Sequence, residues 1–195
     1  MNEWQYGVKV PPRRIADLRS LATRIRAESG LDRRAPFPAL HFLELSMPRM
    51  FNNFDLEIVD ELTNGDEARA YPDGASHHPH GPVIQLRFKT YDDASGGNGR
   101  ARMTILHECG HVALHAGVAV THDPSDRGER LNPWENSEWQ ANQFAAELLM
   151  PPESLETTST VSEFALRMGV SRDAARVRAQ QLVRTNVIAK PEWLS

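Results

Sequence analysis

The stretch Thr104-Ile105-Leu106-His107-Glu108-Cys109-Gly110-His111-Val112-Ala113-Leu114-His115 decides how the chain is read. Apolar residues recur at helical spacing on both sides of a His-Glu-x-x-His pattern. On an α-helix His107 and His111 lie one turn apart on one face, so both imidazoles reach toward a single metal ion. Glu108 sits about 100° round the helix from His107, off the ion but within reach of a water on it. Zinc lowers the pKa of such a water to about 7, and an adjacent carboxylate can take the proton. The motif is therefore half of a zinc hydrolase site, with Glu108 as the catalytic base and a third ligand to come from elsewhere in the chain.

His115 extends the same face by one more turn. Three histidines at successive turns cannot all reach one ion, because the outer two lie roughly 12 Å apart along the axis. The long metzincin extension is also missing, since Gly117 stands where its third histidine would be. His115 is read as a group that orients a ligand, touches substrate or packs. Downstream, Asn132-Pro133-Trp134-Glu135 predicts a helix start with Asn132 as cap, and the helix runs to Pro151-Pro152. It carries Glu135, Glu138 and Glu147. Glu138 and Glu147 are about 180° apart and cannot face the same way. Glu138 shares its face with Asn142 and Ala145, which leave room beside another helix, whereas Glu147 near the helix end is read as solvent-facing. Glu138 is the expected third ligand. Asn142, His115 and His122 are candidates for contact with the ligands or the substrate.

His107-Glu108-Cys109-Gly110-His111 followed by Glu138-x-x-Ala141-Asn142-x-Phe144-Ala145-Ala146-x-Leu148-Leu149-Met150-Pro151 resembles the ImmA/IrrE family of zinc metallopeptidases, over roughly residues 80–155. The resemblance implies a zincin-like fold, zinc held by His107, His111 and Glu138, and Glu108 as general base. It further implies a protein substrate, a helix-turn-helix transcriptional repressor, whose cleavage or inactivation derepresses stress or mobile-element genes. The competing expectation is a DNA- or repressor-binding regulator whose metal site is structural or vestigial.

The 195 residues suit a zincin-like domain over 1–155 and a helical, helix-turn-helix-like segment over 156–195 packed on the same core. A net charge of −4 excludes a general polycation, and the single Cys109 excludes an internal disulfide framework. With no signal peptide or membrane-length apolar run, the expected location is the cytoplasm. The expected fold class is α+β, mainly helical with a small antiparallel sheet.

Upstream, Pro11-Pro12 opens a helix whose Ile15, Leu18, Ala22 and Ile25 face inward, with Arg13, Arg14, Arg19, Arg24 and Arg26 on a solvated face. Trp4 and Tyr6 are expected to pack on the body. A short helix is predicted between Pro36 and Pro48, and strands over 55–60, 68–71 and 83–88, the first two joined by a turn at Asn64-Gly65-Asp66. The last strand is a candidate for binding extended substrate by strand addition. His77-His78-Pro79-His80 reads as a solvated loop, and residues 92–100 as a connector. In the tail, Val161–Met168 and Ser171–Val183 form a helical hairpin around Gly169-Val170. Arg172 and Arg176 are its candidate DNA contacts, against the plainer reading of a packed or partner-docking pair.

Overall fold

The computed structural model describes residues 7–32, 34–118 and 131–194. Trp4, Tyr6 and His122 lie outside them. The fold is mixed α+β: helices α1 (Ile15–Glu28), α2 (Ala39–His41), α3 (Met47–Met50), α4 (Phe88–Ser95), α5 (Gly99–His115), α6 (Ser137–Leu149), α7 (Val161–Met168) and α8 (Arg172–Arg184), with strands β1 (Asp55–Val59), β2 (Ala68–Tyr71) and β3 (Val83–Arg87). A π-helical stretch, Phe42–Ser46, joins α2 to α3. Phe42 and Leu43 of this stretch are buried, while Leu45 is exposed.

The sheet is mixed, in the order β1-β3-β2. The strand positions were legible, but the pairing differs from a simple antiparallel sheet. β1 runs parallel to β3, with Leu56 beside Ile84 and Ile58 beside Leu86. β2 runs antiparallel to β3, with Ala70 beside Ile84. The most apolar strand takes the centre: Val83, Ile84 and Leu86 are fully buried, whereas Ile58 on β1 is exposed. β3 is therefore paired along both edges and cannot accept a further strand; the open edges are β1 and β2. The connector expected after β3 is instead helical. α4 begins at Phe88, buries Thr90 and Ala94, and carries a Lys89–Asp93 ion pair one turn apart at 2.8 Å.

The sheet and α4 back onto the pair α5 and α6, which forms the middle of the molecule. Asn98 caps α5 by accepting from the backbone N–H groups of Arg100 and Ala101. The α6 start is shifted from its predicted place. Pro133–Glu135 forms a separate 3₁₀ turn, and the cap is Asn136, whose side chain accepts from the Trp139 N–H at 3.0 Å. The two helices cross closely at Gly110, where a Cβ would stand 3.1 Å from both Ala141 Cα and Phe144 Cδ1. Since one of those neighbours is backbone, Gly110→Val should destabilise the fold by about 1–3 kcal/mol by overpacking. It should also weaken metal binding, because α6 carries Glu138. Urea unfolding and zinc titration of the variant check this, and an unchanged midpoint would show that the crossing has slack.

Three charged residues are buried, and two of them, Arg26 and Glu147, are expected from the sequence to face solvent. Arg26, 2% exposed, leaves the basic face of α1 and donates to the carbonyls of Leu148 (2.7 Å), Asp32 (3.0 Å) and Ala35. It thereby satisfies a carbonyl at the C-terminal end of α6, where helical partners run out. Glu147, expected to face solvent, is 2% exposed and accepts from Arg19 Nε and Nη2 at 3.1 Å each. Its other partner is Arg178 of α8 at 2.7 Å. Arg178 also donates to Met150 O at 3.0 Å. Phe164, Met168, Ala175, Ala179 and Leu182 of α7 and α8 belong to the same core cluster as α1, α5 and α6. Among the described residues, no helix is long and apolar enough to cross a membrane.

Candidate metal centre

The face that α5 turns toward α6 holds the site. His107 and His111 project one turn apart, their Nε2 atoms 3.0 Å from each other. Glu138, in the first turn of α6, meets both: Oε2 lies 3.1 Å from His107 Nε2 and Oε1 lies 3.2 Å from His111 Nε2. Among the described residues these three form the one group of His, Cys, Asp or Glu donors with metal-binding spacing, all within 4.8 Å of one another. The His-rich loop forms no such group. His77 pairs with Glu57 at 2.6 Å and His78 with the Asn53 carbonyl at 2.8 Å.

The electrostatics favour positive charge at this point. Burial alone would raise the pKa of Glu138, yet the two imidazoles hold its carboxyl far below the ordinary range. Burial alone would lower the pKa of His107, yet Glu138, Glu108 and Asn142 shift it upward. Two imidazole nitrogens and a carboxylate converging at about 3 Å need positive charge between them, supplied either by protons or by a divalent ion. Two imidazoles and one carboxylate form a familiar catalytic zinc set, so the residues fit that ion. Cys109, one position further round the helix, is no competitor: its thiol is fully buried and burial raises its pKa.

Glu108 is 9% exposed, on the side of α5 that faces the sheet. Burial raises its pKa first of all; the neighbouring histidines and a hydrogen bond with the Ala70 backbone on β2 pull the other way. That contact ties the carboxylate to the open-edged strand.

A hydrogen-bonded chain fixes which nitrogen of His111 faces Glu138. Gln140 is fully buried, and its Nε2 donates to the carbonyls of Pro11 (2.9 Å) and Trp134 (2.7 Å). Its Oε1 therefore accepts, at 3.2 Å, from His115 Nε2. His115 Nδ1 is left as the acceptor for His111 Nδ1, 3.4 Å away, and His111 Nε2 keeps its lone pair for a ligand. Burial, with the nearby His111, pushes the His115 pKa down to about 4, so it stays neutral near pH 7. His115 thus sits behind the ligand face and does not join it. Gln140 was not legible in the sequence, because nothing local marks a glutamine that two distant carbonyls will orient. Asn142, one turn beyond Glu138, lies beside the His107 ring.

Residues 94–180 match the family model of the IrrE N-terminal-like domain, Peptidase M78. The match covers the segment that carries the site and makes it similar to that domain. It spans α5, α6, α7 and most of α8, and so contains all three converging side chains together with Glu108. The matched domain is metallopeptidase-like, and the family of that model is one of zinc peptidases. A Mycobacterium tuberculosis transcriptional regulator has a similar fold, with a TM-score of 0.55 at 17% sequence identity over 92% of this chain. The chain spans about half of that protein, 49% of its length. No curated protein matches the chain.

Proposed function

We propose that the chain is a zinc-dependent endopeptidase that cuts a protein partner, a helix-turn-helix repressor, and so relieves repression of stress or mobile-element genes. The single observation that carries the catalytic part is the meeting of His107, His111 and Glu138 with Glu108 alongside, buried and tied to β2. The IrrE-like family supports the partner class.

In this reading His107, His111 and Glu138 hold the ion. When bound, zinc supplies Lewis acidity to a carbonyl and makes a water acidic near neutral pH. Glu108 takes the proton from the attacking water and passes it to the leaving amine. The chain Gln140–His115 holds His111 in the ligating tautomer, and Asn142 steadies His107. β2, whose outer edge is open beside Glu108, offers backbone groups to an extended segment of substrate. Direct DNA contact by the α7–α8 pair is less well supported. Arg178 is withdrawn into the core, Arg176 pairs with Asp173 at 3.4 Å, and Arg167 pairs with Glu163 at 3.2 Å.

The test is incubation of the zinc-loaded protein with helix-turn-helix repressors encoded near its gene, with and without a chelator. Chelator-sensitive cleavage is expected; repressors left intact, with derepression still occurring, would favour a binding regulator. Glu138→Ala should in turn lose most bound zinc, measured by metal analysis after dialysis. Near-stoichiometric zinc in that variant would show a different third ligand.

A further inference from the structure

Next to the ligand face the surface opens into a cavity of about 360 Å³, with His107 and Asn142 on its lining. Three elements wall it: Met103 and Thr104 from α5, Leu149 and Met150 at the end of α6, and Val170 and Ala174 from the α7–α8 turn and α8. Leu149 and Met150 are buried and fix its floor. The outer wall is held as firmly. The turn sits so close to the start of α5 that a Cβ on Gly99 would lie 2.4 Å from the Gly169 carbonyl oxygen. Ser171 locks the first turn of α8 by accepting from Ala174 N–H at 3.1 Å. Arg100 at the rim is turned to Glu67, 3.1 Å away.

Pockets that bind organic groups are typically about 300–1,000 Å³, mostly apolar, with a few polar groups to fix orientation. This one has that size and an apolar interior, with His107 and Asn142 at the end nearest the proposed metal and Arg100 and Ser171 at the other. A peptide whose carbonyl lay at His107 and Glu138 would place a neighbouring side chain at this opening. We propose that the cavity is the specificity subsite of the proposed peptidase, accepting a large unbranched or γ-branched apolar side chain (leucine, methionine or phenylalanine) from a residue flanking the scissile bond. The inference rests on the peptidase reading and deepens it. It gives the α7–α8 pair a role in substrate selection: Val170 and Ala174 form the wall that decides which side chain enters.

The pocket can be tested apart from catalysis. N-acetyl-leucine amide and N-acetyl-glycine amide are titrated into the metal-free protein while the methyl signals of Met103, Met150, Val170 and Ala174 are followed by NMR. The leucine amide should shift them saturably and bind at least about tenfold more tightly than the glycine amide, as expected for burial of a leucine side chain. Ala174→Phe, which fills the cavity, should abolish the difference, and Met103→Ala, which enlarges it, should admit the tryptophan amide. The zinc-loaded protein is then given a peptide mixture randomised at each position. Cleavage beside leucine, methionine or phenylalanine, moved toward alanine and glycine by Ala174→Phe, supports the subsite. Equal binding of the two amides, or cleavage whose preference Ala174→Phe leaves unchanged, overturns it while leaving the peptidase reading intact. Selective leucine binding with no cleavage of any peptide or repressor overturns the peptidase reading, and the subsite with it.

Discussion

Glu108→Gln is expected to keep its zinc and its affinity for the partner while cleavage falls by about 10²–10⁴-fold, the usual contribution of a positioned general base. The substitution changes little but charge and basicity. Glu108 is not among the three converging donors, so the proposed ligand set of His107, His111 and Glu138 remains complete. The amide has the shape of the carboxylate and can still accept from the Ala70 backbone, but it cannot take a proton from water. Metal content, partner binding and cleavage rate measured on one preparation separate these effects. Wild-type regulatory activity in this variant would mean that the carboxylate performs no chemistry and that the protein regulates by binding.

Glu147→Ala should be among the most damaging single changes to stability, costing roughly 3–5 kcal/mol, the usual price of removing one partner from a buried ion pair. Arg178 is 2% exposed and reaches Glu147 at 2.7 Å, while Arg19 approaches the same carboxylate with two donors at 3.1 Å. Removing the carboxylate leaves Arg178 buried with its charge uncompensated, and α1, α6 and α8 lose the group on which they converge. The urea midpoint of the metal-free variant measures the loss. Replacing Glu147 and Arg178 together, by Leu and Met, should recover much of it, because an apolar pair of similar volume removes the stranded charge. A Glu147→Ala protein as stable as the wild type would show that the arginines escape to solvent at little cost.

The two predictions fall on opposite sides of what local pattern can reveal. His107, Glu108, His111 and Glu138 are brought together by two helices whose existence follows from apolar periodicity and whose facing follows from angle counting, since Glu138 and Glu147 must point apart. The same counting turns Glu147 away from the site but does not reveal that it is buried. The face opposite Glu138 is covered by α1 and α8, and the arginines that make burial tolerable lie far away in sequence. Arg26 was misplaced for the same reason, since its acceptors are carbonyls at the end of α6 and in the 32–35 loop. In the sheet, three strand segments could be found from composition, but strand order is a competition for burial, which Val83, Ile84 and Leu86 win. The last turn of α4 is hidden from a sequence reading because Asp92-Asp93-Ala94-Ser95 is as polar as a loop; only Thr90 and Ala94 of the helix face inward. The shifted α6 start reflects two asparagines competing as cap. Pro133 favours a tight turn after Asn132, and the helix then begins at Asn136.

The central claim is that His107, His111 and Glu138 hold the ion. Zinc K-edge X-ray absorption on the zinc-loaded protein reads it directly. The expected spectrum has nitrogen and oxygen donors only, at about 2.0–2.1 Å, with outer-shell scattering from two imidazoles that falls to one in His111→Ala. A sulfur shell near 2.3 Å would bring in Cys109, and scattering from three imidazoles would bring in His115. Either result would contradict the site described here.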